Sequence, residues 1–302
     1  MTSVLNQDRP DATRIRRVTE SIIGLPTLPT VVSKMIDLVD SPRTSAVVLS
    51  RLIGSDQSLT AKILKLANSA YYGFSREIPT VNLAIVVLGF NTVKEMGLSL
   101  SVFDVFKKTP SSGSFDVRLF WEHSVGCGVA ARMLVRMYRP RLAGEAFVAG
   151  LLHDIGKVIL KQYFDREFGE IIALQREGHR SLEQAEEATL GTTHAQIGAW
   201  LAEKWNLPEL ISECLLHHHD PWEGNIDPGF IACICLGDHI CHLSRKGQSG
   251  RLEPPLLDPR LWEVLSIAGI ETDESVLKNL IADFLLEYDR AEAWLRLDAA
   301  PQ

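Results

Sequence analysis

AFVAGLLHDIGKVIL, Ala146–Leu160, is an apolar run interrupted by one histidine, one aspartate and one lysine, with no proline to break it. Its spacing predicts a helix packed into a core. An ionised carboxylate in such a place is costly unless something neutralises it. Asp154 therefore needs a partner: a salt bridge, a polar network or a metal ion.

Helical periodicity continues on both sides of this run, and no convincing series of alternating strands occurs, so the fold class is all-α. Upstream, LPTLPT (25–30) leads into VVSKMIDLVDS, SAVVLSRLIGSD and SLTAKILKLANSAYYG, then VNLAIVVLGF and TVKEMGLSLSVFDVF. Each carries apolar residues at helical spacing and a polar or glycine stop. KKTPSSGS (107–114) reads as a loop and marks an internal boundary. The expected organisation is an N-terminal helical half (1–110), a helical core (115–245) and a C-terminal extension (246–302). Within the core, Ser181 with Gln184 and Thr193 with Gln196 have the spacing of capping boxes. The proline-rich EPPLLDP precedes the final helices.

The chain has 302 residues, 46% of them hydrophobic, enough for a large core. Its 38 acidic against 31 basic residues give a net charge of -7, which leaves no broad basic surface for a nucleic-acid polymer and no polybasic membrane anchor. The start resembles no secretory signal, and no stretch is long and uncharged enough to span a bilayer, so a cytoplasmic location is expected. The cysteines at 127, 214, 233, 235 and 241 form no C-x-x-C pair and read as buried reduced thiols. Cys127 lies one helical turn beyond His123, which leaves a place near a metal open.

All nine histidines fall between His123 and His242. A lone histidine on an apolar face is more often a hydrogen-bonded core residue than a ligand. Together, however, His123, His153, His194, His218 and His219, with Asp154 and Asp238, supply imidazoles and hard carboxylates from several helices, a set suited to iron, manganese or zinc. Neighbouring helix positions point about 100° apart, so His153 can hold one ion while Asp154 bridges to a second. Gly156 allows another chain or a ligand to come close. His179 reads as solvated in its turn, and His217, His239 and His242 as pointing in other directions from the ligands. Glu187, ahead of His194, is a candidate second acceptor for that imidazole, although a solvated helix face explains it better.

The order His123, His153–Asp154, Asp238 resembles the HD superfamily of metal-dependent phosphohydrolases. HDIGK, GTTHAQIGAWLAEKWNLP and LLHHHDP are more specifically similar to the HDOD family and to the related HD-GYP cyclic-dinucleotide phosphodiesterases. LPTLP and DQSLTAKILKLANSAYYGFSREIPTVNLAIVVLG resemble HDOD proteins closely, over roughly residues 20–245. The resemblance implies an HDOD-type helical fold with an HD-type metal-binding core. It implies His123, His153, Asp154 and Asp238 around one metal and Asp154, His194, His218 and His219 around a second, with iron foremost. Asp154 and Lys157 are the implied catalytic pair, Lys157 placed to touch a substrate phosphate; a surface lysine or a carboxylate partner explains Lys157 equally well.

Two departures stand out. PWEGNIDPGF follows the histidines where the cyclic-dinucleotide enzymes carry GYP, and Leu119 stands where three-metal relatives have glutamate, so two metals are the expected ceiling. The implied role is a signalling or regulatory protein with a dinuclear metal centre, its partner a signalling protein or a small phosphate-containing ligand. The alternative is an active phosphodiesterase acting on a nucleotide or cyclic dinucleotide.

Overall fold

The computed structural model describes residues 26–39, 44–109, 115–178, 180–251, 257–270 and 274–297. His179, the breaker-rich positions 110–114, most of the proline-rich turn and everything before residue 26 lie outside these. Among the described residues the chain is helical throughout, with no β-strand.

The first group comprises α1 (Thr30–Val39), α2 (Ala46–Gly54), α3 (Gln57–Ala67), α4 (Val81–Leu88) and α5 (Phe90–Lys107). Short polar side chains start three of them. Ser45, Asp56 and Thr80 accept the backbone N–H groups of Val48, Leu59 and Leu83, each satisfying a donor that a helix start leaves free. At Gly89 the chain bends by 120° from α4 into α5. Helix α5 is buried on nearly every side, the pattern of a helix enclosed by others rather than one lying on a surface. It packs against α1, α3 and α4, and also meets the long helix α6 (Val117–Tyr138) and α7 (Ala143–Leu152).

Helices α6 and α7 form the most extensive pairing, joined by α13 (Pro228–Leu243). Glycines allow the close crossing of the first two. A Cβ on Gly150 would lie 2.6 Å from the carbonyl oxygen of Cys127, and one on Gly128 would lie 2.8 Å from that of Phe147. Backbone therefore rests on backbone here, and the ends of α6 and α7 are drawn together around His123 and His153. Helices α8 (Ile155–Tyr163), α9 (Asp165–Arg176), α10 (Leu182–Leu190), α11 (His194–Lys204) and α12 (Glu209–His217) complete the core.

Ser181 and Gln184 form a reciprocal capping box at the start of α10. The expected box at α11 is only half made. Thr193 accepts the Gln196 N–H, but the Gln196 side chain receives the hydroxyl of Thr192 at 2.6 Å instead of reaching back to the cap. A competing hydroxyl one residue upstream accounts for the difference.

The last helices, α14 (Pro259–Ile267), α15 (Glu274–Arg290) and α16 (Glu292–Leu295), return to the body of the protein. Trp121 of α6 donates its indole N–H to the Trp294 carbonyl at 3.0 Å, and the Trp294 ring lies 5.1 Å from that of Phe147. The C-terminal segment is thus part of the core. No single helix among the described residues is long and apolar enough to cross a membrane.

Candidate metal centre

The run Ala146–Leu160 is not one helix. Helix α7 stops at Leu152 and α8 starts at Ile155, with His153 and Asp154 at the corner between them. The His153 ring makes the corner. Its Nδ1–H donates to the Gly150 carbonyl at 2.7 Å, the acceptor that a continuing helix would offer to the Asp154 N–H. Helix α12 ends in the same way, with His218 donating Nδ1–H to the Leu215 carbonyl at 2.8 Å. A carbonyl can only accept, so each ring carries a proton on Nδ1 and turns Nε2 inward.

His194 is held by a carboxylate. Glu186 of α10 takes its Nδ1–H at 2.7 Å and its backbone N–H at 3.0 Å. Glu187 is exposed, in keeping with the solvated helix face that explains it better, and its neighbour holds the imidazole instead. The Ser181 cap sets the register of α10, so Leu182, Ala185, Glu186 and Thr189 face inward and Glu187 faces out. A carboxylate in phase with an apolar stripe was the available signal.

The seven expected ligand residues gather in two adjoining clusters, which also include Cys127. His123, Cys127, His153 and Asp238 form one; Asp154, His194, His218 and His219 form the other, with ligand atoms within 4.8 Å of one another in each. In the first, His123 Nε2 and His153 Nε2 lie 3.0 and 3.7 Å from Asp238 Oδ1. In the second, Asp154 Oδ1 lies 3.2 Å from His194 Nε2 and 3.6 Å from His218 Nε2. Asp154 Oδ2 faces the first cluster, 3.3 Å from His153 Nε2. The same oxygen receives Lys157 Nζ at 2.6 Å, and both side chains are buried. Lys157 is therefore no surface residue, and the contact it makes is with Asp154.

His242 was expected to point elsewhere, yet its Nε2 lies 3.4 Å from Asp238 Oδ1 and its ring 4.7 Å from that of His123. One helical turn separates 238 from 242, which places both on one face of α13. His217 and His239 are half-buried and belong to neither cluster.

Burial opposes ionisation of Asp154, but Lys157 and His153 outweigh it and hold the carboxyl well below its ordinary range. Burial also disfavours imidazolium at His153, where Asp154 reverses the balance and raises the group to about 9. Burial pushes His218 down to about 4, and burial together with His218 holds His219 well below its usual value, so both are neutral imidazoles at pH 7. The carboxylates that hold a second proton on His153 attract a metal ion too, and metal binding displaces that proton.

The donors fit metal ions. His153 Nε2, Asp154 Oδ1 and His218 Nε2 are buried without a hydrogen-bond partner, a costly state that ion coordination would relieve. A cavity of about 710 Å³ reaches the centre at His219 and Asp238, with Arg180, Glu183, Trp222 and Arg251 among its lining. Arg251 pairs with Glu183 and lies 3.5 Å from His219 Nε2, and Arg260 stacks on Trp222 at 3.8 Å. Gly247 and Gln248 bring Arg251 here, the Gln248 N–H donating to the Leu119 carbonyl at 2.9 Å.

The HDOD domain model matches residues 25–221. The chain belongs to the HDOD family. Its structure is similar to that of an HDOD domain protein of unknown function from Geobacter sulfurreducens, with a TM-score of 0.75 and 29% identity, covering 93% of this chain and 97% of that one. A Shewanella amazonensis protein provisionally named a phosphohydrolase has a TM-score of 0.72 and 22% identity, over 94% and 98% of the two chains. An uncharacterised Treponema pallidum protein is 24% identical over 204 residues, 67% of this chain and 39% of its own length. The HDOD chain thus spans about two fifths of that relative.

Proposed function

We propose that this HDOD protein is a metal-loaded regulatory module that binds a small phosphate-containing ligand in the cavity beside its metal centre and passes that state to a signalling partner in the cytoplasm. The observation that supports it most is the meeting of two buried ligand sets with a cavity into which Arg251 projects. Two ions, iron foremost with manganese or zinc as substitutes, suit the imidazole and carboxylate donors. Arg251, held in place by Glu183, offers a fork of donors to phosphate oxygens. Gly150, Leu215 and Glu186 fix three imidazoles with Nε2 inward, so the site is organised before a ligand arrives.

A hydrolytic reading is favoured by one feature: the two oxygens of Asp154 face different clusters. When bound, paired ions would lower the pKa of a water and offset charge on phosphoryl oxygens. Asp154 would then set the spacing of the two sites, and Lys157 would fix the carboxylate orientation.

Metal-loaded full-length protein, with Asp154→Ala as control, separates these readings. Elemental analysis should find metal in the wild type and little in the variant. Calorimetry with pyrophosphate should show binding that depends on metal and on Arg251. Turnover of a generic phosphodiester, lost in Asp154→Ala, would establish the hydrolase; binding without turnover supports the regulatory role. A wild type that takes up no metal would sink both.

A further inference from the structure

We propose that Cys127 is a thiolate ligand, so that the first cluster is a nitrogen, oxygen and sulfur site for a thiophilic ion of the zinc class, chemically unlike the sulfur-free second cluster. This rests on the reading of the clusters as a metal centre.

The argument is geometric. Metal bonds of about 2.0–2.3 Å in a tetrahedral site require ligand atoms about 3.3–3.7 Å apart. Cys127 Sγ lies 3.3 Å from His123 Nε2 and 3.6 Å from Asp238 Oδ1. His153 Nε2 lies 3.7 Å from that oxygen, and the His123–Asp238 edge, at 3.0 Å, is slightly short. Four of the six edges of a tetrahedron drawn by donors from α6, α13 and the α7–α8 corner are thus near the required length, and the two edges from His153 to Cys127 and to His123 are no longer than 4.8 Å.

Two further observations point the same way. His153 Nε2, fully buried, has no hydrogen-bond partner and is aimed into this cluster. Two other atoms could take the fourth vertex, and both are engaged: Asp154 Oδ2 receives Lys157 at 2.6 Å, and His242 Nε2, 3.4 Å from Asp238 Oδ1, is hydrogen-bonded to Ser249 Oγ at 3.1 Å.

Sulfur changes the chemistry of the site. Thiolate favours zinc and comparable borderline or soft ions, whereas one carboxylate and three imidazoles suit iron or manganese as well. The two positions should therefore fill with different preferences rather than as an equivalent pair. On binding, the thiol loses its proton to solvent and its sulfur joins the ion; no electron transfer is involved.

Cobalt(II) is the probe. Full-length protein stripped of metal and kept reduced should bind cobalt with an intense near-ultraviolet sulfur-to-cobalt charge-transfer band. Cys127→Ser should lose that band while still binding cobalt at the second cluster, and Cys241→Ser should keep it. Cobalt uptake without the band, or a band that survives in Cys127→Ser, overturns the thiolate and leaves the metal centre standing. No cobalt uptake overturns both.

Because Cys127 is fully buried, a reading that needs no variant is also required. Cadmium NMR of the wild type should give one resonance shifted strongly by sulfur and one in the nitrogen and oxygen range. Two resonances in the latter range would refute the proposal.

Discussion

Glu186 holds His194 twice, through the ring Nδ1–H at 2.7 Å and the backbone N–H at 3.0 Å, with neither residue exposed. The carboxylate fixes the tautomer of the ring and also serves the start of α11. Glu186→Ala should weaken metal at the second cluster by about 10–100-fold, the usual effect of losing such a support. Glu186→Gln, which keeps an acceptor, should lose less. Metal titration followed by calorimetry measures both, and equal affinity in all three proteins would refute the role.

Gly156 carries the contact between α8 and α11. A Cβ there would meet the His194 carbonyl oxygen at 1.9 Å, and backbone cannot turn aside as a side-chain end can. Gly156→Ala should destabilise the fold by about 1–3 kcal/mol or more and displace His194 from Asp154. The Tm and the metal content should fall together; a variant with wild-type values of both would show that the helices separate freely.

How much of this was legible in the sequence depends on how local the cause is. Ser45, Asp56 and Thr80 cap helices within three residues of themselves, and those starts could be read directly. The corner at His153–Asp154 could not, because no glycine or proline marks it and the histidine ring takes the carbonyl itself. His242 reads from the sequence as a neighbour pointing away from the ligands, yet one turn of helix places it with Asp238. Arg251 reaches the centre through contacts such as Gln248 with Leu119 and Ser249 with His242, pairings across the chain that periodicity does not reveal.

Glu95 supplies a pH test away from the metal centre. It lies on the buried helix α5 close against Gly144, and burial, only partly offset by Arg132, raises its carboxyl to about 7. The folded state then keeps a proton that the unfolded chain, with an ordinary value of 4.5, releases. The favourable contribution is complete below 4.5 and is lost as pH rises through about 7. At about 1.4 kcal/mol for each pH unit of difference, the loss is at most about 3 kcal/mol. Denaturant titrations from pH 4.5 to 8 should show this decline in the wild type and a flatter profile in Glu95→Gln; parallel profiles would contradict it.

Lys157 answers the question raised by a charged pair inside an apolar run. Its ammonium neutralises Asp154 at 2.6 Å where both are shielded from water. Lys157→Met keeps most of the aliphatic bulk and removes only the charge, leaving the carboxylate without its cation. Breaking a buried pair from one side costs about 3–5 kcal/mol, so metal-free Lys157→Met should melt below metal-free wild type, by roughly 5–8 °C for a chain of this size. Saturating metal should narrow that gap, because bound ions supply the positive charge that the variant lacks. The stabilisation gained on adding metal should therefore be larger in the variant than in the wild type. If Lys157 serves only to contact a phosphate, the two metal-free proteins should melt together and differ only in pyrophosphate affinity. Thermal melts with and without metal decide between these outcomes, and an equal deficit under both conditions would show that Lys157 does more than neutralise Asp154.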